Sequence, residues 1–228
     1  MTFPIEDALA VTPFMDYTHH VIQEFVRIHS KDAKTDRERA VALYYAIRDG
    51  IRYNPYQMDF TVEGMRASTA LITQTGWCVT KAVLLAACCR AMKIPAILGF
   101  ADVKNHLTTE RLKKAMGTDV FEWHGYTAIL IDGKWVKATP AFNIELCQRS
   151  KINPLEFDGT CDSLFHPFDL NGNVHMEYLR YRGEFTELPL EQIKKDLEPR
   201  HSQVMDRKKA DFQEDVERER SGSGGALG

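Results

Sequence analysis

The chain has 228 residues, 44% of them apolar, and a net charge of −3. That length and apolar content suit one sizeable core and would crowd two full domains. The charge gives no electrostatic reason for a nucleic acid or an anionic membrane as partner, and no apolar run approaches the roughly 18 residues of a membrane span. Met1 to Asp7 shows no basic stretch leading into an apolar one, so a cytoplasmic location is expected. Five cysteines without Cys-x-x-Cys spacing argue against a disulfide framework and against structural zinc.

In chain order, helical spacing runs over 13–30, with Phe14, Val21, Phe25 and Ile28, and over 36–50, with Ala40, Leu43, Ala46 and Ile47. Thr35 and Glu38 form a capping-box pattern at the start of the second. Gly76-Trp77-Cys78 leads into the apolar run Val83-Leu84-Leu85-Ala86-Ala87, which places Cys78 at a helix start. A strand is expected over 96–103, a charged surface excursion from Lys104 to Asp119, and a strand over Phe121–Ile131. Asp132-Gly133 reads as a two-residue hairpin turn into Trp135-Val136-Lys137-Ala138-Thr139. A short helix at Asn143–Arg149 and a further strand at 174–181 follow. From about 199 apolar residues thin out, and 199–228 reads as a charged tail, ending in Gly and Ser, that is disordered.

Two residues in this framework carry chemistry. A cysteine at a helix N-terminus meets unpaired N–H groups and the positive end of the helix dipole, which is expected to lower its pKa and make a nucleophile. His124, in the aromatic stretch Phe121-Glu122-Trp123-His124-Gly125-Tyr126, is its general base. If Ile131 pairs with Lys134, His124 faces Ala141, with Thr139 and Asn143 on its diagonals. Either residue alone has a plain structural reading, as a small buried hydrophobe or a core histidine; the pair together points to catalysis. Cys88 and Cys89 read as packing, and no pair among the remaining histidines has a metal-ligand spacing, so no metal or other cofactor is expected. Trp77 is either an oxyanion donor beside the nucleophile or a half-buried aromatic.

These segments, with Ile51-Arg52-Tyr53, Ser68-Thr69-Ala70-Leu71-Ile72, Arg90-Ala91-Met92-Lys93-Ile94-Pro95 and Gly133-Lys134-Trp135-Val136, resemble the transglutaminase-like superfamily of papain-like cysteine enzymes. The likeness covers about residues 35–145. It implies an α+β fold, with N-terminal helices and the nucleophile's helix packed on an antiparallel sheet, and a cysteine–histidine–aspartate triad. Where that family places Asp-Pro on the returning strand, this chain has Thr139-Pro140. A threonine hydroxyl can orient an imidazole but brings no charge. Thr139 is thus the matching third member, with Asn143 and Asp158 as alternatives.

The resulting expectation is a single domain over 1–198 that performs acyl transfer at an amide bond through a Cys78 thioester. Hydrolysis of a peptide or isopeptide in a protein substrate is favoured over transamidation, because no sign of the domains of calcium-dependent crosslinking enzymes is present. A catalytically silent peptide-binding module is the competing reading, and oligomeric state is left open.

Overall fold

The computed structural model describes residues 3–105, 109–164, 176–201 and 211–222. Helix α1 spans His20–His29, shorter than the spacing predicts, because residues 13–19 form turns that still bury Phe14 and Met15. Helix α2, Asp36–Gly50, starts at the expected box: the Thr35 hydroxyl accepts from the Glu38 N–H at 3.2 Å, and the Glu38 carboxylate accepts from the Thr35 N–H at 3.1 Å. Strand β1 (Arg52–Tyr53) pairs in parallel with β2 (Thr75–Gly76), and α3 (Ala67–Thr73) lies between them in sequence.

Helix α4, Cys78–Ala91, is the central element. Every residue from Cys78 to Arg90 is buried, which is why it shows no apolar stripe: it is enclosed on all sides. Its two buried cations are satisfied by carbonyls. Lys81 Nζ donates to Arg48 and Ile51 at the end of α2, at 2.9 and 2.6 Å. Arg90 donates to Ala96, Ala10 and Thr186. Cys88 and Cys89 are fully buried packing residues, as their apolar neighbours predict.

The sheet in front of α4 contains β3 (Ala96–Asn105), β4 (Val120–Ile131), β5 (Lys134–Ala138) and β6 (Met176–Phe185) in the order β5-β4-β3-β6, all antiparallel. Thr127 of β4 donates its hydroxyl to the Ala82 carbonyl at 2.8 Å, which pins the sheet to the helix. Asp132 and Gly133, at φ 50° and 77°, make the hairpin turn, and Ile131 pairs with Lys134 as expected. The charged excursion contains α5 (Glu110–Met116), and α6 (Ile144–Ser150) begins at Asn143. Residues 174 and 175 of the strand expected at 174–181 lie outside the described residues.

The C-terminal part departs from expectation. Helix α7, Leu190–His201, runs across the predicted boundary at 198, and the stretch expected to be disordered contains α8, Phe212–Gly222. Phe212, Gln213, Asp215 and Val216 of α8 are buried, so these residues dock on the domain instead of forming part of a solvated tail. Asp211, just before α8, and Asp215 and Glu217 within it pair with the distant Arg52, Arg111 and Arg149. No helix among the described residues is long and apolar enough to cross a membrane.

Candidate active site

Cys78 is the first residue of α4. Trp77 is the extended N-cap, and its N–H donates to the Thr80 hydroxyl at 3.0 Å, which leaves the next N–H groups of the turn open. Three backbone N–H groups, those of Gly125, Val79 and Cys78 itself, pull the Cys78 thiol pKa down. Burial outweighs them. At 4% exposure the thiol is pushed up to about 11, so the expectation of a depressed pKa is corrected. The helix-terminus effect has the right sign locally, but a sulfur removed from water loses more as an anion than those N–H groups return.

Gly125 is the contact residue of β4, and His124 immediately precedes it. The ladder with β3 is regular from Ala96↔Ile129 to Ala101↔His124, then resumes at Val103↔Phe121, so Glu122 and Trp123 oppose the single residue Asp102. This β-bulge carries Trp123 at φ 58°, a left-handed conformation that a bulky residue rarely adopts. A buried ionic network holds it there. The Trp123 N–H donates to Asp102 Oδ1 at 3.1 Å and its indole N–H to Asp196 Oδ2 at 2.9 Å. Arg182, under 10% exposed, donates to Asp102 at 2.7 Å, Asp196 at 2.5 Å and Glu122 at 3.1 Å, with its guanidinium carbon 4.8 Å from the Trp123 ring centre. The bulge sets the direction in which the chain enters His124.

His124 itself is 6% exposed, and burial lowers its pKa to about 4, so at neutral pH it is an uncharged imidazole able to accept a proton. The shift has a consequence for stability. Between pH 6.5 and 4 the unfolded chain takes up a proton that the folded site refuses, so stability falls as pH drops through that window and is unaffected above it. The expected loss is about 3 kcal/mol by pH 4. Urea denaturation of wild type and His124→Gln at pH 7 and pH 4 should show a loss about 3 kcal/mol larger in wild type, because paired carboxylates such as Asp196 and Asp211 titrate in both; equal losses in both would place the destabilisation elsewhere.

The other expected site residues are placed differently. Pairing of β4 with β5 stops at Thr127↔Ala138, because the Thr139 N–H turns away to the Ser163 carbonyl at 2.9 Å. The expected Ala141 partner for His124 is therefore not formed, and Ala101 occupies the register position on the other side. The Thr139 hydroxyl oxygen is buried with no hydrogen-bond partner, so it does not hold the imidazole here. Asn143 stands at the N-cap position of α6 without a side-chain bond to that helix, its side-chain oxygen instead accepting from the Tyr53 N–H at 3.2 Å and from Gln213 Nε2 at 2.8 Å. Asp158 is exposed, and its carboxylate is taken by the Thr160 N–H and hydroxyl, both at 2.8 Å. Trp77 is fully buried, its ring edge-on to Phe60 and its indole N–H unpartnered. Among the described residues no group of three or more His, Cys, Asp or Glu side chains could hold a metal ion.

The family model of the transglutaminase-like superfamily matches residues 23–140, just over half of the chain. The chain belongs to that superfamily. Its transglutaminase-like core runs from α1 to the end of the β4–β5 hairpin and includes Cys78, His124 and Thr139; β6, α7 and α8 lie beyond the matched span. Two solved structures are similar. One is a putative cysteine protease from Cytophaga hutchinsonii, 14% identical with a TM-score of 0.48, the match covering 81% of this chain and 55% of that one. The other is a putative protease from Parabacteroides distasonis, 15% identical with a TM-score of 0.40, covering 60% of this chain and 27% of that one. This transglutaminase-like chain thus spans about half of the first and a quarter of the second. No curated protein matches it.

Asp102 and Arg182 were not among the sequence candidates. Their signal was present in weak form: a lone carboxylate inside the apolar strand Ile97–Val103 needs a cation from somewhere.

Proposed function

We propose that this protein is a cysteine-dependent acyl-transfer enzyme that cleaves an amide bond in a peptide or protein, with Cys78 as nucleophile and His124 as general base and acid. The observation that carries the reading is Cys78 at the first position of α4, with Gly125, the residue that follows His124, packed against the backbone of that helix start. Membership of the transglutaminase-like superfamily supports cysteine chemistry in general.

The steps follow from the groups present. Neutral His124 takes the thiol proton as the sulfur attacks the carbonyl carbon, and backbone N–H groups of the α4 start stabilise the oxyanion. The imidazolium passes its proton to the leaving amine, and a thioester remains on Cys78. Water, deprotonated by His124, then releases the acid and regenerates the thiol. In this reading the backbone bulge at Trp123 orients His124 in place of a third side chain, since the Thr139 hydroxyl makes no bond to it.

A silent binding module is the second reading. What favours it is the neutral pair, a thiol at about 11 beside an imidazole at about 4.

Casein serves as a general probe to decide between them. Release of peptides reports proteolysis, release of ammonia deamidation, and incorporation of dansylcadaverine transamidation. Wild type is expected to show one of these after long incubation, with Cys78→Ala and His124→Ala each at least 1,000-fold slower. Identical traces from wild type and Cys78→Ala, whether active or not, overturn the enzyme reading.

A further inference from the structure

The pair is closed in this structure: with Cys78 and His124 at 4% and 6% exposure, no substrate carbonyl can come within bonding distance of the sulfur. Something must move. Beside the nucleophile runs β1: Tyr53, fully buried, pairs with Gly76, two residues before Cys78, and the Asn54 N–H donates to the Gly76 carbonyl at 2.9 Å. The ring of Tyr53 meets Phe142 edge-on at 4.9 Å and Phe212 of α8 at 5.7 Å. Phe212 also meets Tyr56 at 5.6 Å, so it sits in an aromatic socket built on β1, the strand paired with the segment that leads into Cys78.

The rest of α8 is held by polar contacts to several separate elements. Asp211 pairs with Arg52 at 2.7 Å, Asp215 with Arg111 at 3.2 Å, and Glu217 with Arg149. Asp215 also accepts from the Tyr56 hydroxyl at 2.8 Å. The fully buried Gln213 donates its amide to Asn143, which in turn holds the Tyr53 N–H. A negatively charged segment thus fills a seat rimmed by arginines on a chain of net negative charge.

Two features make the docked state easy to leave. The Gln213 side-chain oxygen is buried without a partner, which is unfavourable. The pairs of Arg52 and Arg149 are substantially exposed, so they are weak and screened by salt.

We propose that the seat of α8 is the peptide-binding cleft of this protein, that it takes an acidic segment anchored by one aromatic side chain, and that α8 occupies it in cis as a plug over Cys78. The proposal rests on the reading of Cys78 as nucleophile and adds to it the class of peptide recognised. Release of the plug readmits water, which removes the burial that now masks the three N–H groups around the sulfur, so the thiol becomes reactive only when the seat is free.

The test uses the full chain and iodoacetamide, with Cys78 labelling followed by peptide mapping. Phe212→Ala is expected to raise the labelling rate at least tenfold, and raising NaCl from 0.05 to 1 M should speed labelling of wild type. A fluorescein-labelled synthetic peptide with the sequence of residues 211–222 should bind the Phe212→Ala chain by anisotropy and restore protection of Cys78. A scrambled peptide of the same composition, or one with its Phe replaced by Ala, should do neither. If Phe212→Ala lowers the melting temperature of the whole domain, Glu217→Lys, at an exposed pair, gives the same comparison.

Labelling that is insensitive to these variants and to salt, or a peptide that binds without protecting Cys78, overturns the proposal. Failure of the catalytic reading looks different: labelling would respond to α8 as expected, while the casein reactions of the Phe212→Ala chain would persist after a further Cys78→Ala change.

Discussion

Replacing Arg182 by methionine is expected to destabilise the protein by about 3–5 kcal/mol, a large share of the 5–15 kcal/mol that holds a typical domain together. Arg182 pairs with all three of Asp102, Glu122 and Asp196, and Asp102 is at least as buried as Arg182 itself. Without it Asp102 keeps only the Trp123 N–H, and a buried carboxylate with one donor is far from compensated. Methionine fills much of the volume, so the loss measured by urea denaturation reports the charge and not a cavity. Arg182→Lys should fall between, because an ammonium cannot serve three carboxylates in the fixed fork of a guanidinium. Asp102→Asn in the Arg182→Met background should recover part of the loss, since the amide oxygen can still accept from Trp123 and the stranded charge is gone. A loss below about 1 kcal/mol in Arg182→Met would show that the network is solvated in practice and does not hold the bulge.

How far the sequence could be read depended on whether the determining contacts were local. The capping box of α2 and the Asp132-Gly133 turn involve residues within three positions of each other, and both form as expected. The buried run of α4 and the strand containing His124 were legible because their apolar residues are contiguous or alternate. The hairpin register was legible only as far as Ala138. Beyond it, the direction of Thr139 is decided by Ser163, which no short-range pattern announces. The bulge at Trp123 depends on Arg182, about 60 residues further along, and the docking of α8 on arginines at 52, 111 and 149. In the tail, Phe212 and Val216 stand four apart on one helical face, but two apolar residues among many charges do not outweigh a composition that reads as solvated. The Cys78 thiol illustrates the same limit: the dipole and N–H groups at the α4 start are local, while its burial depends on elements distant in sequence, β4 among them.

Gly125→Val is expected to damage the site and the fold together, because nothing beside this glycine can retreat. A Cβ placed there would stand 3.0 Å from Val79 Cα, 3.3 Å from the Cys78 carbonyl oxygen and 3.4 Å from the Phe100 ring. The first two are backbone atoms of α4, which is enclosed by the sheet on one side and by α1, α2 and α3 on the other. Strand β4 is also held, since Gly125 pairs with Phe100 of β3 and the pairing with β5 begins two residues on, at Thr127. Overpacking of this kind costs about 1–3 kcal/mol, and here relief requires the sheet and the helix start to separate. Such a separation withdraws the Gly125 N–H from the Cys78 sulfur and carries His124 away from it. The expected result is a lower melting temperature together with at least a tenfold loss of kcat in whichever casein reaction wild type supports, with KM little changed, because the displaced groups act on the reacting atoms and not on peptide binding. Gly50→Ala is the matched control: its Cβ would meet nothing within 4 Å, and neither stability nor rate should fall. If Gly125→Val left the melting temperature unchanged but still abolished activity, the close approach of β4 to α4 would serve the chemistry alone; if both stayed at wild-type values, the Cys78–Gly125 contact would not be part of the site.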